Sequence, residues 1–283
     1  MNEETQAREG RPHAGHEAPE NQEPETDEMP FLEHLEELRW RLFKSIVAIG
    51  LAALISFFFS DYILRVIQRP FEQAVAMQPE VIGEDGATIA PRSQLIFLSP
   101  TEGFMIRIKL SLLAGLLLAS PIVFYQFWKF VSPGLLEKER KFIPRLAFAS
   151  TVFFLLGASF CYFFVIRFGL NFLLGFQSET LAAVIDIKEY FGFFTLLILM
   201  FGIVFEMPIV AYFLTRLGLL TPEFMRDKRQ YAIVGIFVLA AIITPPDIFT
   251  QMALALPLLI LYEISIWVCK ASLPSPREAS PQT

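Results

Sequence analysis

Long apolar segments constrain the fold of this chain more than any other feature of its sequence. A helix needs about 20 residues to cross a hydrocarbon core that is roughly 30 Å thick. Six segments reach or approach that length, namely Leu42–Ser60, Ile108–Phe130, Leu146–Ile166, Phe191–Arg216, Tyr231–Ile243 and Ile248–Val268. Because 54% of the 283 residues are apolar, the composition excludes an ordinary soluble domain. The sequence predicts an all-α polytopic membrane protein with six transmembrane helices.

The basic residues predict how these spans are oriented. Cytoplasmic loops carry an excess of Lys and Arg, and two of the connections have such an excess. The first contains Lys138, Arg140, Lys141 and Arg145, and the second contains Arg226, Lys228 and Arg229. The connections Asp61–Gly103 and Asn171–Tyr190 are poorer in bases for their length, so we expect them on the opposite side. An even number of spans then leaves both termini cytoplasmic.

Both ends of the chain lack the apolar residues that a folded segment needs. The acids of residues 1–28 outnumber Arg8 and Arg11 enough to account for the formal net charge of -6. Such a segment buries too little apolar surface to offset the entropy of ordering. We expect a disordered acidic cytoplasmic tail at 1–28, the six-helix membrane domain at 29–270 and a flexible cytoplasmic tail at 271–283.

The sequence offers no pattern typical of an enzyme or of a metalloprotein. It has no GxxxxGK[ST] loop to hold a nucleotide phosphate, and it has no HExxH or GxSxG motif. Cys161 and Cys269 lie in or at the end of apolar spans without metal-ligand spacing, so we interpret them as small apolar residues. We expect no catalytic residue, no metal, no cofactor and no nucleic-acid partner.

The fifth span is too short to cross a bilayer comfortably. Its 13 residues rise about 1.5 Å each and reach only some 20 Å before the sequence ITPPD ends the helix. We expect a tight periplasmic hairpin there, formed by Thr244, Pro245, Pro246 and Asp247. Asp247 either caps the sixth helix or has a functional role, and the sequence leaves both interpretations open.

Three further prolines lie inside apolar spans. They are Pro121 in the second span, Pro208 in the fourth and Pro257 in the sixth. Because proline removes a backbone donor and its ring clashes with the preceding turn, each is expected to kink its helix. Kinked helices of unequal length predict a curved, open wall instead of a parallel bundle.

Glu206 lies near the middle of the fourth span, within FGIVFEMPIV. A carboxylate at that depth costs about 2.5–3.5 kcal/mol on insertion scales, so it needs a compensating neighbour. This neighbour is a hydrogen-bond donor within the bundle, a water-filled hollow or the helix of a partner protein. Three further polar residues lie in apolar spans at a lower energetic cost, namely Gln126, Gln251 and Glu263. Glu263 is close enough to a helix end for its carboxylate to reach the membrane–water interface.

A polar segment with amphipathic spacing precedes the first span. Phe31 and the leucines at 35, 38 and 42 recur at helical spacing, which predicts a helix over 30–41. Glu37 lies off this apolar stripe and four residues before Arg41. A solvated i,i+4 ion pair is the simplest interpretation of that spacing.

Four motifs give the chain a specific resemblance. They are HLEELRWRL at 34–42, SPIVFYQFWKFVSPGLLEKERK at 120–141, FGIVFEMPIV at 201–210 and ITPPDIFTQ at 243–251. Together they resemble the TatC family, the large multispanning subunit of the twin-arginine protein translocase, over roughly residues 30–268. The resemblance implies six helices in a concave, glove-like arrangement in the bacterial inner membrane, with both termini cytoplasmic.

The same resemblance implies a function and a set of partners. TatC proteins bind signal peptides that carry paired arginines, and they organise the single-span subunits TatA and TatB for the export of folded proteins. The proton-motive force drives this export. We therefore expect TatA, TatB, twin-arginine signal peptides, further TatC copies and the lipid bilayer as partners.

The resemblance also assigns roles to individual residues. Two carboxylates match the signal-binding acids of the family, Glu37 and Glu139, and other functional positions match Arg39, Phe130, Arg140 and Pro70. Glu206 matches the intramembrane acid, and the hairpin region matches Pro245, Pro246, Asp247 and Gln251. Glu137 is a second acid two residues before Glu139, so the sequence leaves the choice between these two open.

A proton- or ion-coupled small-solute transporter is the alternative function. In that case Glu206 relays protons, and the cytoplasmic carboxylates are ordinary surface charges. A transporter needs a closed polar pathway through one chain, whereas a receptor needs an open groove. The resemblance favours the receptor.

Overall fold

The computed structural model describes residues 28–77, 81–82, 88–89, 94–132, 140–175, 184–243 and 248–272. The tail at 1–28, apart from its last residue, and the hairpin at 244–247 lie outside these residues. At the C-terminus, α-helix extends to Ser272, and the rest of the tail at 271–283 also lies outside. The domain boundaries therefore stay predictions.

The described part of the chain is mainly α-helical. The helices are α1 (Glu28–Phe58), α2 (Ser60–Ala76), α3 (Glu102–Val131), α4 (Ile143–Phe160), α5 (Ile166–Gly175), α6 (Ile187–Val204), α7 (Met207–Arg216), α8 (Pro222–Asp227), α9 (Arg229–Ile243) and α10 (Ile248–Ser272). A π-helical turn, Cys161–Val165, joins α4 to α5. The strands are β1 (Val81–Ile82), β2 (Thr88–Ile89), β3 (Gln94–Ile96) and β4 (Val184–Asp186).

Five helical segments are long and apolar enough to cross a membrane. They are His34–Phe58, Glu102–Val131, Ile143–Gly175, Ile187–Arg216 and Thr250–Ser272. A shorter apolar helix, α9, lies between the last two, and its 15 residues reach about 22 Å. The described segments are consistent with six spans, and the prediction of a short fifth span is confirmed.

The connection between the first two spans contains a helix that the sequence analysis did not predict. One side of α2 buries Ile67, Phe71 and Val75, and this spacing of four residues is the signal that predicts a helix. α2 packs against α3 and α5. β3 pairs in parallel with β4, with Leu95 opposite Ile185. This pairing joins the connection between the first and second spans to the connection between the third and fourth spans.

The prolines within the spans have different effects on their helices. α3 continues through Pro121, and Ser120 Oγ donates to Leu117 O over 2.7 Å, which is the carbonyl group that Pro121 leaves without its helical donor. α10 also continues through Pro257. At Pro208 the span is interrupted between α6 and α7. The sequence predicted a kink at each of these prolines; the helix is interrupted at Pro208, and the bend angles at all three prolines stay predictions.

Glycines let neighbouring helices approach closely at two places. A Cβ atom added to Gly115 of α3 would lie 2.5 Å from Ala53 N of α1, and one added to Gly157 of α4 would lie 2.5 Å from Phe201 O of α6. No side chain fits at these separations. Close backbone approach over small residues is typical of helix packing in membranes, and here it sets α1 against α3 and α4 against α6.

Candidate functional site

The start of α1 carries the first candidate site. Glu37 Oε1 accepts hydrogen bonds from Nε and Nη2 of Arg41, and Nε lies 3.0 Å away. The predicted i,i+4 ion pair is therefore confirmed. The other oxygen, Oε2, accepts no hydrogen bond from the residues that the structure describes. The Glu37 side chain is 35% exposed and Arg41 only 14%, so the carboxylate is held by Arg41 through one oxygen and stays partly exposed.

A ring stack ties this part of α1 to the end of α3. The rings of His34 and Phe130 have centroids 4.5 Å apart and planes inclined by 18°. His34 precedes Glu37 by about one helical turn, so the stacked ring and the carboxylate share a face of α1. Phe130, one of the positions that the resemblance linked to function, is half-buried and fixed against this face.

The other predicted cytoplasmic residues are only partly described. Arg39 and Arg140 are exposed. Glu137 and Glu139 lie outside the described residues, which end at Ser132 and resume at Arg140. The structure thus shows one of the two predicted carboxylates, and the pairing of Glu37 with Glu139 stays a prediction.

Glu206 lies at the turn between α6 and α7. Its N–H donates to Ile203 O, and its own C=O accepts from the N–H groups of Ile209 and Val210. Pro208 has no N–H with which to continue the hydrogen-bond ladder. The carboxyl group therefore projects from a backbone irregularity inside an apolar span, as is common for functional polar groups in membranes.

The Glu206 carboxyl group is incompletely satisfied. The side chain is half-buried, and its Oε1 atom is shielded from solvent without a hydrogen-bond partner in the described part of the chain. Its polar neighbour is Ser150 of α4, whose Oγ accepts a hydrogen bond from Trp128 Nε1 over 2.9 Å. Residues from three spans converge here, and one shielded carboxyl oxygen has no donor among the described residues.

Pro70 lies inside α2, where two tyrosines of other spans bond to the helix backbone. A proline leaves the carbonyl group four residues earlier without its helical donor, and for Pro70 this group is Val66 O. Tyr162 Oη donates to that atom over 2.7 Å, and Tyr190 Oη donates to the next carbonyl, Ile67 O, over 2.8 Å. Because the two tyrosines belong to the third and fourth spans, α2 is anchored on both.

Gln251 joins the last two spans. Its Nε2 donates to Phe237 O over 3.1 Å, so this amide stabilises the pairing of α9 with α10. Elsewhere between the same helices, Arg229 Nη2 lies 2.9 Å from Glu263 Oε2, which gives Glu263 a partner within the chain. The four hairpin residues lie outside the described part of the chain, namely Thr244, Pro245, Pro246 and Asp247.

Sequence reasoning missed the residues that support these sites, which are His34, Trp128, Ser150, Tyr162 and Tyr190. Each acts through a contact with a residue distant in the sequence. The chain has 30 Phe and 7 Tyr, so an aromatic residue in an apolar span carries no signal of its own. Within an apolar span, the residue type alone marks a residue only when that type is costly at its location, as for Glu206.

A family model matches most of the chain. Residues 33–257 match the model of TatC, described as Sec-independent protein translocase protein (TatC). The matched region begins within α1 and reaches into α10, and it includes Glu37, Phe130 and Glu206.

Individual relatives are similar over nearly the same region. The chain is 43% identical over 242 residues to the Sec-independent protein translocase protein TatC of Desulforapulum autotrophicum, with 86% of this chain and 84% of the relative covered. It is 43% identical over 253 residues to the protein of that name from Aquifex aeolicus, with 88% and 98% covered. A crystal structure described as twin arginine translocase receptor TatC matches with a TM-score of 0.71 and 41% identity, and the match covers 84% of this chain and 99% of that one.

Proposed function

The chain belongs to the TatC family of Sec-independent protein translocase proteins, and from this membership we propose that it is the receptor and core subunit of a twin-arginine translocase. It is a multi-pass protein of the bacterial inner membrane that takes part in protein transport. The solved structure that it resembles is itself described as a twin arginine translocase receptor. The family supports this function over a small-solute transporter.

The hydrogen bonding and partial exposure of the Glu37 carboxylate are the main structural support for the receptor function. Arg41 holds one carboxylate oxygen, and Oε2 accepts nothing from the described residues on a side chain that is one-third exposed. A guanidinium binds a carboxylate through a planar fork of N–H donors, whereas an ammonium is a compact, strongly hydrated charge. An oriented and open carboxylate thus supports binding of an arginine from a signal peptide, in preference to a lysine.

We assign the second arginine of the signal peptide to Glu139, which follows the end of α3 in the sequence. Arg39 and Arg140 are exposed bases close to the two carboxylates in the sequence, and we include them in the proposed site. Phe130 offers an aromatic surface to the apolar part of the peptide, and its stack with His34 supports this role because it fixes the ring beside Glu37.

The Glu206 carboxyl group, whose side chain is only half-buried, supports a second ligand, a polar side chain on the transmembrane helix of TatA or TatB. Hydrogen bonds between helices in membranes contribute about 0.6–2 kcal/mol. Glu206 Oε1 has no partner among the described residues, whereas the Gln251 amide is already bonded to Phe237 O. We therefore place the main contact at Glu206, with Gln251 and the hairpin as a secondary surface. Further TatC copies complete the proposed complex.

Co-purification tests this function as a whole. The full chain, expressed in membranes with TatA and TatB, should co-purify with a folded precursor that carries a twin-arginine signal peptide. The same precursor without its signal peptide serves as the control and should be absent. Equal recovery of both precursors would contradict a receptor function.

A further inference from the structure

A cavity of about 590 Å³ lies between α4 and α7. Leu146, Ala149 and Phe153 of α4 face Ile209 of α7 across it, and Val268 of α10 closes one side. These residues make its interior apolar. The cavity is distinct from the Glu37 site, which lies at the start of α1.

Two arginines lie at the end of the cavity that we assign to the cytoplasmic side. Arg145 is in the first turn of α4, and Arg216 is the last residue of α7. Each guanidinium lies over an aromatic ring, 5.4 Å from the Phe142 centroid and 5.5 Å from the Tyr212 centroid. Both arginines are exposed, and neither forms an ion pair with another residue in the described ranges. A guanidinium stacked in this way keeps N–H edges available for an anion.

The cavity extends through one leaflet of the bilayer. From Arg145 to Phe153 along α4, and from Arg216 to Pro208 along α7, the lining spans eight residues of helix, or about 12 Å. One leaflet contributes half of the roughly 30 Å of hydrocarbon. The transmembrane helix of a partner protein needs a groove across both leaflets, whereas a single lipid needs this length only.

We propose that the cavity binds an anionic phospholipid of the cytoplasmic leaflet. One acyl chain lies along Leu146, Ala149 and Phe153, and the phosphate lies between Arg145 and Arg216. Guanidinium groups bind phosphate through two parallel hydrogen bonds, and basic pockets between spans on the cytoplasmic side bind anionic headgroups. A zwitterionic lipid offers the same chains but adds an ammonium that the arginines repel, so the site selects for negative charge.

Trp128 is a natural reporter for this cavity. It is buried in one cluster with Ile143, Ile209 and Phe213, and these three residues line the cavity. Its ring centroid lies 4.8 Å from that of Phe213. The chain has 3 Trp residues, so the substitutions Trp40→Phe and Trp267→Phe leave Trp128 as the sole source of tryptophan fluorescence.

The test uses this single-tryptophan chain in phosphatidylcholine nanodiscs that contain a brominated lipid, because bromine on an acyl chain quenches a nearby indole. Brominated phosphatidylglycerol should quench Trp128 at a mole fraction roughly 25-fold lower than brominated phosphatidylcholine, since each of the two arginines near the membrane surface contributes about fivefold. Arg145→Gln with Arg216→Gln should abolish the difference. Arg226→Gln changes an exposed arginine of α8 outside the cavity and should leave the difference intact.

Two further variants separate binding from folding. Arg145→Lys with Arg216→Lys keeps the charges and should retain part of the preference. Ala149→Phe fills the cavity and should reduce quenching by both lipids while the arginines remain. Equal quenching by the two brominated lipids, or a preference that survives Arg145→Gln with Arg216→Gln, would overturn the proposal. A photoreactive residue at position 153 that crosslinks to a protein instead of a lipid, in membranes with TatA and TatB, would overturn it in favour of a partner helix.

Discussion

His34 stacks on Phe130 with 4.5 Å between the ring centroids, and this contact joins the start of the first span to the end of the second. Glu37 lies about one turn after His34 on the same face of α1. The segment 133–139, which carries Glu139, directly follows α3 in the sequence. The stack therefore links the helix that carries one proposed signal-binding carboxylate to the helix that precedes the other.

Removing the His34 ring should weaken binding of a twin-arginine peptide. An aromatic pair contributes about 0.5–1.5 kcal/mol beyond its buried area, so His34→Ala should lower the affinity by roughly two- to tenfold. Fluorescence anisotropy of a labelled peptide with the purified chain measures this change. His34→Phe restores a ring and should bind like the unsubstituted chain.

Trp40→Ala is the matched control for that measurement. Trp40 forms an edge contact with Phe43 on the same helix, with ring centroids 6.1 Å apart. Trp40→Ala should therefore change the affinity for the peptide little. If His34→Phe binds as weakly as His34→Ala, the stack is not the cause of the loss.

Substitutions of Glu206 distinguish a structural acid from a partner-binding acid. Glu206→Leu removes a buried oxygen that has no partner among the described residues, so the isolated chain should unfold in detergent at the same or a higher temperature. Crosslinking to TatA and TatB should fall, and Glu206→Gln, which keeps an acceptor, should retain part of it. If Glu206→Leu left crosslinking unchanged and lowered the Tm, the acid would have a structural role and no role in partner binding.

Pro70 and Tyr162 should show coupled effects on stability. Tyr162→Phe leaves Val66 O without the donor that now lies 2.7 Å away, which costs about 1 kcal/mol for a partly buried acceptor. In a Pro70→Ala background the N–H of residue 70 can bond the same carbonyl, so Tyr162→Phe should cost less. Free energies of unfolding for the two single variants and the double variant measure the coupling. Additive costs would show that the tyrosine does not compensate for the proline.

The distribution of bases predicts the orientation of the chain. Cysteines introduced at position 13 and at the exposed position 227, and a reporter fused after Thr283, should be accessible from the cytoplasm only. Cysteines at 87 and 179 should be labelled from the periplasm. This expectation follows from the base-rich connections at 137–145 and 226–229, and cytoplasmic labelling at position 87 would reverse the orientation.

Features that depend on one helix could be predicted from sequence. The Glu37–Arg41 pair needs only the four-residue spacing of a helix, and the short fifth span needs only a length and a stop at ITPPD. The interruption before Pro208 follows from the missing N–H. α2 was not predicted although Ile67, Phe71 and Val75 have helical spacing, because its sequence is too polar for a membrane span.

Contacts between helices could not be predicted, because they depend on the distance and rotation of packed surfaces. Nothing in the segment around Ser150 shows that its hydroxyl meets Trp128 and faces Glu206. The same holds for the cavity between α4 and α7. Close packing at Gly115 and Gly157 sets α1 against α3 and α4 against α6, and one sequence does not reveal which glycines allow such packing.

Variants that each replace one acid test whether Glu37 and Glu139 form the signal-peptide site. A charged hydrogen bond contributes about 1.5–3 kcal/mol, so Glu37→Ala and Glu139→Ala should each lower twin-arginine peptide binding by roughly tenfold or more. Glu36→Ala and Glu137→Ala are matched controls, one beside each proposed residue, and should change little. Equal losses in all four would indicate a diffuse negative charge, and a loss from Glu137→Ala alone would move the site by two residues.

The most direct measurement compares twin-arginine and twin-lysine forms of one signal peptide on the unsubstituted chain. The guanidinium fork matches an oriented carboxylate and the ammonium does not, so photo-crosslinking to the region of Glu37 and Glu139 should be strong for the twin-arginine peptide and nearly absent for the twin-lysine peptide. Glu37→Ala should remove the difference by lowering the twin-arginine signal. Equal crosslinking of the two peptides to the unsubstituted chain would contradict the account.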